Sequence, residues 1–232
     1  MDGFMSGPEV ARYLGVSARR VRAMVANGQL PAERLMGRWL IPAVAAASHK
    51  PNSAGRPLSE GSAWSVLRYL SGEDAGPWLS LRLRDRLRSL RAEDDRQWRL
   101  RSWLSARGNP VRLWGFKPAL DGLADDEGVM VSGDRVFGEL ESSGLLRVYA
   151  SAGDVDGLVD LYGLRVIDNG SRLPNALAWA VSNLDAVPRC PTDDHAVAEV
   201  VAALDLLDSG EPRAVGVAGR IIEHALGRCD EL

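Results

Sequence analysis

Gly7-Pro8-Glu9-Val10-Ala11-Arg12-Tyr13-Leu14-Gly15-Val16-Ser17-Ala18-Arg19-Arg20-Val21-Arg22-Ala23-Met24 carries the spacing of two short helices crossing at a tight turn. Ala11 is small where the second helix must approach. Gly15 permits a left-handed turn, and Val21 returns an apolar branch to the first helix. Val10, Leu14, Val16, Met24 and Val25 complete the wedge between them. Ser17 stands where an N-cap belongs, and Asn27-Gly28 can close the second helix, which is therefore expected over residues 18–26. At 100° per residue Ala18, Val21, Met24 and Val25 share one face. Arg19, Ala23 and Ala26 point the opposite way, with Arg20 and Arg22 on the flanks. The pattern is that of a helix-turn-helix. It predicts that the helix beginning at Ser17 and Ala18 enters a DNA major groove, with Arg19 reading base edges and Arg20 and Arg22 meeting phosphates.

Working outward, Gln29 to Pro42 predicts two short strands around Met36-Gly37, followed by a helix that Pro42 opens at its first position. This is a wing, with Arg34, Arg38 and Trp39 as candidate contacts to the DNA backbone or minor groove. Trp39 is expected to pin the wing to the helices; the alternative is an edge turned toward the sugar-phosphate chain. Leu30-Pro31, Arg34 and Gly37-Arg38-Trp39-Leu40-Ile41 resemble the excisionase-type branch of the MerR-like winged helix-turn-helix family. The resemblance spans about the first fifty residues and implies double-stranded DNA as partner. Two copies, as a possible homodimer, would read repeated half-sites.

The charge distribution is uneven. The chain has 28 Lys/Arg against 31 Asp/Glu, a balance that by itself argues against a nucleic-acid partner. Residues 1–112, however, hold 19 basic and 10 acidic residues, and residues 113–232 hold 9 and 21. The front half can be drawn to phosphates by counterion release, and the back half is repelled by them.

A length of 232 residues exceeds one winged helix and suits a small domain plus one of ordinary size. We expect a DNA-binding domain over residues 1–48, a Pro/Gly/Ser linker over 49–61 and an α+β domain over 62–232. Two cysteines, Cys190 and Cys229, are too few for a disulfide framework, although a single bridge between them stays open. With no signal peptide or long apolar run, they place the chain in a reduced bacterial cytosol.

Helical spacing of apolar residues predicts helices over 62–70, 80–91 and 96–107. The second is dense in Arg82, Arg84, Arg86, Arg88 and Arg91, either a solvated face or an extension of the phosphate footprint. Short strands are expected over 111–116, 129–131, 145–150, 164–168 and 176–181, with a helix over 153–162. Two more helices, 195–207 capped by Thr192 or Asp193 and one opened by Pro212 and running to 226, close the chain. Most of the seven Trp residues are expected to anchor cores.

The order Leu145-Leu146-Arg147-Val148-Tyr149, a helix, Leu164-Arg165-Val166-Ile167, then Leu204-Asp205-Leu206-Leu207-Asp208-Ser209 and Pro212-Arg213 resembles actinobacterial AbiEi-type antitoxins of type IV toxin-antitoxin pairs. That resemblance covers about residues 60–226 and rests on diffuse patterning. It implies a DNA-binding autorepressor whose second domain counters a nucleotidyltransferase toxin. An excisionase-like recombination factor and a ligand-sensing repressor are the alternatives.

Catalytic and metal patterns are missing. Asp193-Asp194-His195 reads as a helix cap with a dipole partner. His49 and His224 have no second His at ligand spacing. Asp154-Val155-Asp156-Gly157 has Arg165 where a calcium loop needs Glu. Gly216-Val217-Ala218-Gly219 falls within a helix and has no preceding strand, as a dinucleotide fingerprint requires. No enzyme activity, cofactor or metal is expected.

Overall fold

A computed structural model describes residues 4–14, 17–26, 30–35, 37–42, 45–46, 56–76, 79–93, 96–137, 140, 144–167, 173–207 and 212–228. Gly15, Val16, Asn27-Gly28, Met36, most of the expected linker, Trp78, Asp168, Asp208-Ser209 and Cys229 lie outside these. The chain divides into two compact units, one within Met1–Ser53 and the other within Ala54–Ile167 and Leu173–Leu232.

The first unit begins with strand β1 (Phe4–Ser6), then α1 (Gly7–Leu14), α2 (Ala18–Ala26), β2 (Glu33–Leu35) and β3 (Arg38–Pro42). Its start is fixed by a side-chain cap: Glu9 Oε2 accepts from both the backbone N–H and the hydroxyl of Ser6 at 2.7 Å. Val10, Ala11, Leu14, Val21, Met24, Leu30, Ile41 and Ala46 form a buried cluster, with Met5, Val25 and Ala32 partly buried against it. The described members of the expected helix-helix wedge are thus buried or partly buried, Val16 lies outside the described residues, and Ala18 is exposed. The three strands pair in the order β1-β3-β2, both pairs antiparallel. Pro42 corrects the expected helix start, because it ends β3 opposite Phe4. At the last position of the strand its missing N–H costs little of the ladder. The pairing partner β1, only three residues long, gave no periodic signal in the sequence.

The second unit is mixed α+β. Its helices are α3 (Glu60–Ser71), α4 (Leu81–Leu90), α5 (Arg96–Trp103), α6 (Lys117–Ala124), α7 (Val155–Leu161), α8 (Glu199–Leu206) and α9 (Pro212–Gly227). The strands are β4 (Asn109–Trp114), β5 (Val129–Ser132), β6 (Leu146–Ser151), β7 (Arg165–Val166), β8 (Ala176–Val181), β9 (Arg189–Cys190) and β10 (Asp193–Val197). They form one sheet in the order β7-β4-β8-β6-β5-β10-β9. The pairs β6/β8 and β5/β10 are parallel, and the rest are antiparallel.

Alternation along the strands gives the sheet two buried faces. Met130, Tyr149, Trp179 and Val197 pack with apolar residues of α3, α4, α5, α8 and α9. Val129, Val148 and Ala178 face the other way, with Leu120 and Leu123 of α6 and Val155 of α7. Trp64 and Trp103 are buried anchors. Trp64 meets Tyr149 edge to face with centroids 5.5 Å apart.

Two further corrections concern this unit. Residues 193–197, expected to begin a helix, form β10, and α8 starts only at Glu199. Ala196 pairs with Val131 of β5, so a distant strand outweighs the helix propensity of the local run. Asp193 is then no helix cap; its carboxylate accepts from the N–H of His195 at 2.9 Å, closing a turn on an exposed strand end. Helix α6 had no sequence expectation. Phe116 at its N-cap position offers no side-chain acceptor, and Gly122 interrupts it, placed where a Cβ would lie 2.9 Å from the Tyr162 ring. The helix at 153–162 is shorter, and Asp154 occupies its N-cap position without a side-chain hydrogen bond.

A buried polar network crosses this core. The side chains of Arg107 and Asp205, 2% and 1% exposed, form an ion pair. Arg107 Nε also donates to the Tyr149 hydroxyl at 2.9 Å, and its carbon lies 4.1 Å from the Trp179 ring centroid. Asp205 also accepts from Ser132 Oγ at 2.5 Å and from the Tyr149 hydroxyl at 3.1 Å. Burial alone would lower the Arg107 pKa, but the proximity of Tyr149 and Asp205 and hydrogen bonds with both raise it above its ordinary value. For Tyr149, burial holds the pKa well above its ordinary value.

Candidate nucleic-acid interface

Helix α2 is held at its start by Ser17. The serine Oγ accepts from the Arg20 N–H at 3.2 Å, and its carbonyl accepts from the Val21 N–H at 3.1 Å. The cap fixes the phase of the helix, turning Val21 and Met24 inward and leaving Arg19, Arg20 and Arg22 exposed. Arg19 lies on the helix face opposite the buried pair. Nε of Arg22 makes one long contact, 3.4 Å, to the Ala18 carbonyl, which leaves most of its guanidinium donors available. At the other end, the Leu30 N–H donates to the Met24 carbonyl at 3.2 Å, tying the chain that enters the wing to the helix.

The wing is the β2/β3 hairpin. Glu33, Arg34 and Leu35 oppose Leu40, Trp39 and Arg38, so the hairpin turns between Leu35 and Arg38. Gly37 takes a φ of +79°, a conformation such loops require and side chains disfavour. Arg34 is exposed and its guanidinium lies 5.7 Å from the Trp39 ring centroid. Trp39 is 37% exposed and lies outside the cluster that joins the helices to β3. These facts count against the expectation that it pins the wing to the helices: Trp39 is an exposed residue whose ring faces Arg34. Arg38 has its backbone in β3, while its side chain lies outside the described residues.

All eight expected contact positions therefore belong to one unit. Ser17, Ala18, Arg19, Arg20 and Arg22 are exposed on or beside α2, and Arg34 and Trp39 are exposed on the wing. The arrangement offers cationic donors in two patterns, one on a rigid helix and one on a hairpin, the pair that winged helices use on a groove and its flanking backbone.

In the second unit the arginine-rich α4 is mostly engaged. Arg86 lies 3.9 Å from the Trp103 ring centroid, Arg84 lies 5.6 Å from that of Tyr69, and Arg88 pairs with Asp85 at 3.2 Å. Asp193, Asp194 and His195 are exposed on β10. No group of three or more metal-ligating side chains occurs among the described residues. Cys190 is a free thiol. Among the described residues, no helix is long and apolar enough to cross a membrane.

Residues 4–45 match the family model of a helix-turn-helix domain, the same segment that the fold sets apart. The match supports DNA binding by the first unit. No curated protein and no solved structure matches the chain.

Proposed function

We propose that this protein is a DNA-binding autorepressor and the antitoxin of a toxin-antitoxin operon, its second unit countering a nucleotidyltransferase-type toxin. The observation that carries the DNA-binding part is the capped α2 helix, whose exposed Arg19, Arg20 and Arg22 lie away from the buried Val21 and Met24. Arg19 would read base edges, Arg20 and Arg22 would hold phosphates, and the wing with Arg34, Arg38 and Trp39 would rest on the adjacent backbone. The antitoxin part is supported by the resemblance of residues 60–226 to AbiEi-type antitoxins. A second α+β unit of its own, larger than an architectural recombination factor needs, agrees with it.

The test uses the whole chain. A reporter driven by the DNA preceding its coding sequence measures repression, and growth of cells expressing the neighbouring gene measures neutralisation. The combined Arg19→Ala/Arg20→Ala variant is expected to lose repression and retain rescue. A non-toxic neighbour, or toxicity that the wild-type chain does not relieve, overturns the antitoxin reading. Unrepressed reporter with the wild-type chain overturns the autorepressor reading.

A further inference from the structure

Residues 113–232 carry only nine Lys/Arg, yet three of them, Arg189, Arg220 and Arg228, line a single cavity of about 560 Å³ together with His224. This volume falls within the range of sites for small molecules. Two of the arginines are fixed. Arg228 donates to the Leu70 carbonyl at 2.9 Å, and Arg189 donates to the Asp194 carbonyl at 2.9 Å. Each guanidinium has five N–H donors, so these anchors orient the groups without exhausting them. Arg220 and His224 are four residues apart on α9 and exposed, hence neighbours on one helix face. Thr192 and Cys190 add a hydroxyl and a thiol, 3.3 Å apart, to the lining.

Two carboxylates also line the cavity, Glu73 and Glu199. Glu73 is taken up by Arg68, 3.3 Å away and outside the cavity. Arg189 also lies 4.0 Å from the Asp185 carboxylate, the outer limit of an ion pair, and Glu199 is the remaining carboxylate of the lining against the three arginines. The apolar part of the lining includes Val200, Ile221 and Ala225, the last two next to Arg220 and His224 on α9.

We infer that this cavity binds a small organic anion, its phosphate or carboxylate oxygens on Arg189, Arg220 and Arg228 and its apolar body against Val200 and Ile221. The site is separate from the DNA-binding reading and stands whether or not the protein is an antitoxin. Charge-assisted, forked recognition by arginine is the chemistry that both oxyanions share.

Isothermal titration of the full chain with inorganic pyrophosphate and, separately, with tricarballylate tests the inference and tells the two sources apart. We expect saturable one-to-one binding of at least one probe, weakened about tenfold or more in Arg220→Glu, the scale of losing one charge-assisted contact. Arg220 is exposed, so the variant should fold, and an unchanged melting curve in probe-free buffer checks this. His224→Ala gives a second, milder loss that does not reverse a charge. Binding unaffected by Arg19→Ala/Arg20→Ala places the anion away from the DNA-binding arginines. Absence of binding by either probe at millimolar concentration, equal binding by Arg220→Glu, or loss of binding only in the Arg19/Arg20 variant overturns it.

Discussion

Arginine does opposite work in the two units. On α2, Arg19, Arg20 and Arg22 are exposed; in the second unit Arg107 is buried with its charge matched by Asp205. The first set is open to an external partner and contributes little to folding. The second would cost the fold heavily if its partner were removed. The same contrast extends to how each is encoded: α2 is positioned by a cap and a turn within a few residues, whereas Arg107 meets a partner 98 residues away.

The largest expected effect falls on the buried side. Asp205→Ala strands the Arg107 charge and the Ser132 hydroxyl, and should destabilise the second unit by about 3–5 kcal/mol in urea unfolding. A loss below about 1 kcal/mol would mean that the ion pair is incidental to the core. On the exposed side, Arg19→Ala should leave the unfolding midpoint unchanged while reducing discrimination between specific and random DNA by about 1–3 kcal/mol in competition titrations.

Ser17→Ala sharpens the distinction, since its measurable effect on the free protein acts through the helix start, where its hydroxyl accepts from the Arg20 N–H. About 1 kcal/mol of local stability should be lost, read as faster hydrogen exchange at Arg20. Smallest is Trp39→Ala. Without the ring beneath Arg34, affinity for all DNA should fall by about 0.5–1 kcal/mol, with the ratio between sequences preserved.

The helix-turn-helix was legible because each of its signals is local. Ser17, Val21 and Met24 specify cap and buried face within one helix, and Gly37 marks the hairpin loop. What escaped depended on partners elsewhere. Residues 4–6 become a strand only by pairing with β3, and Pro42 is recruited into that same ladder. Residues 193–197 look like the cap and first turn of the apolar helical run that follows, but are claimed by β5 through Ala196 and Val131. Trp39 was misjudged for a related reason: an aromatic on a wing can serve the core or the surface, and only the position of Arg34 across the hairpin decides. The Ser6–Glu9 cap was in plain view as Ser-x-x-Glu yet was overshadowed by the turn that follows. The Arg107, Tyr149, Asp205 and Ser132 network had no local signature at all, because its members come from four separate segments. Two of them, Tyr149 and Asp205, lay within stretches already singled out by family resemblance, but nothing there paired them.

The central claim is that the exposed arginines of α2 bind DNA. Its most direct test is a titration of the full chain with the duplex preceding its coding sequence, repeated over a range of salt and set beside the Arg19→Ala/Arg20→Ala/Arg22→Ala variant. The account predicts that the wild-type chain prefers this duplex to a scrambled one. It also predicts that the variant loses the preference and that its plot of log affinity against log salt is shallower by about two, from two lost phosphate contacts. Isotherms and salt slopes that coincide for the two proteins would contradict it.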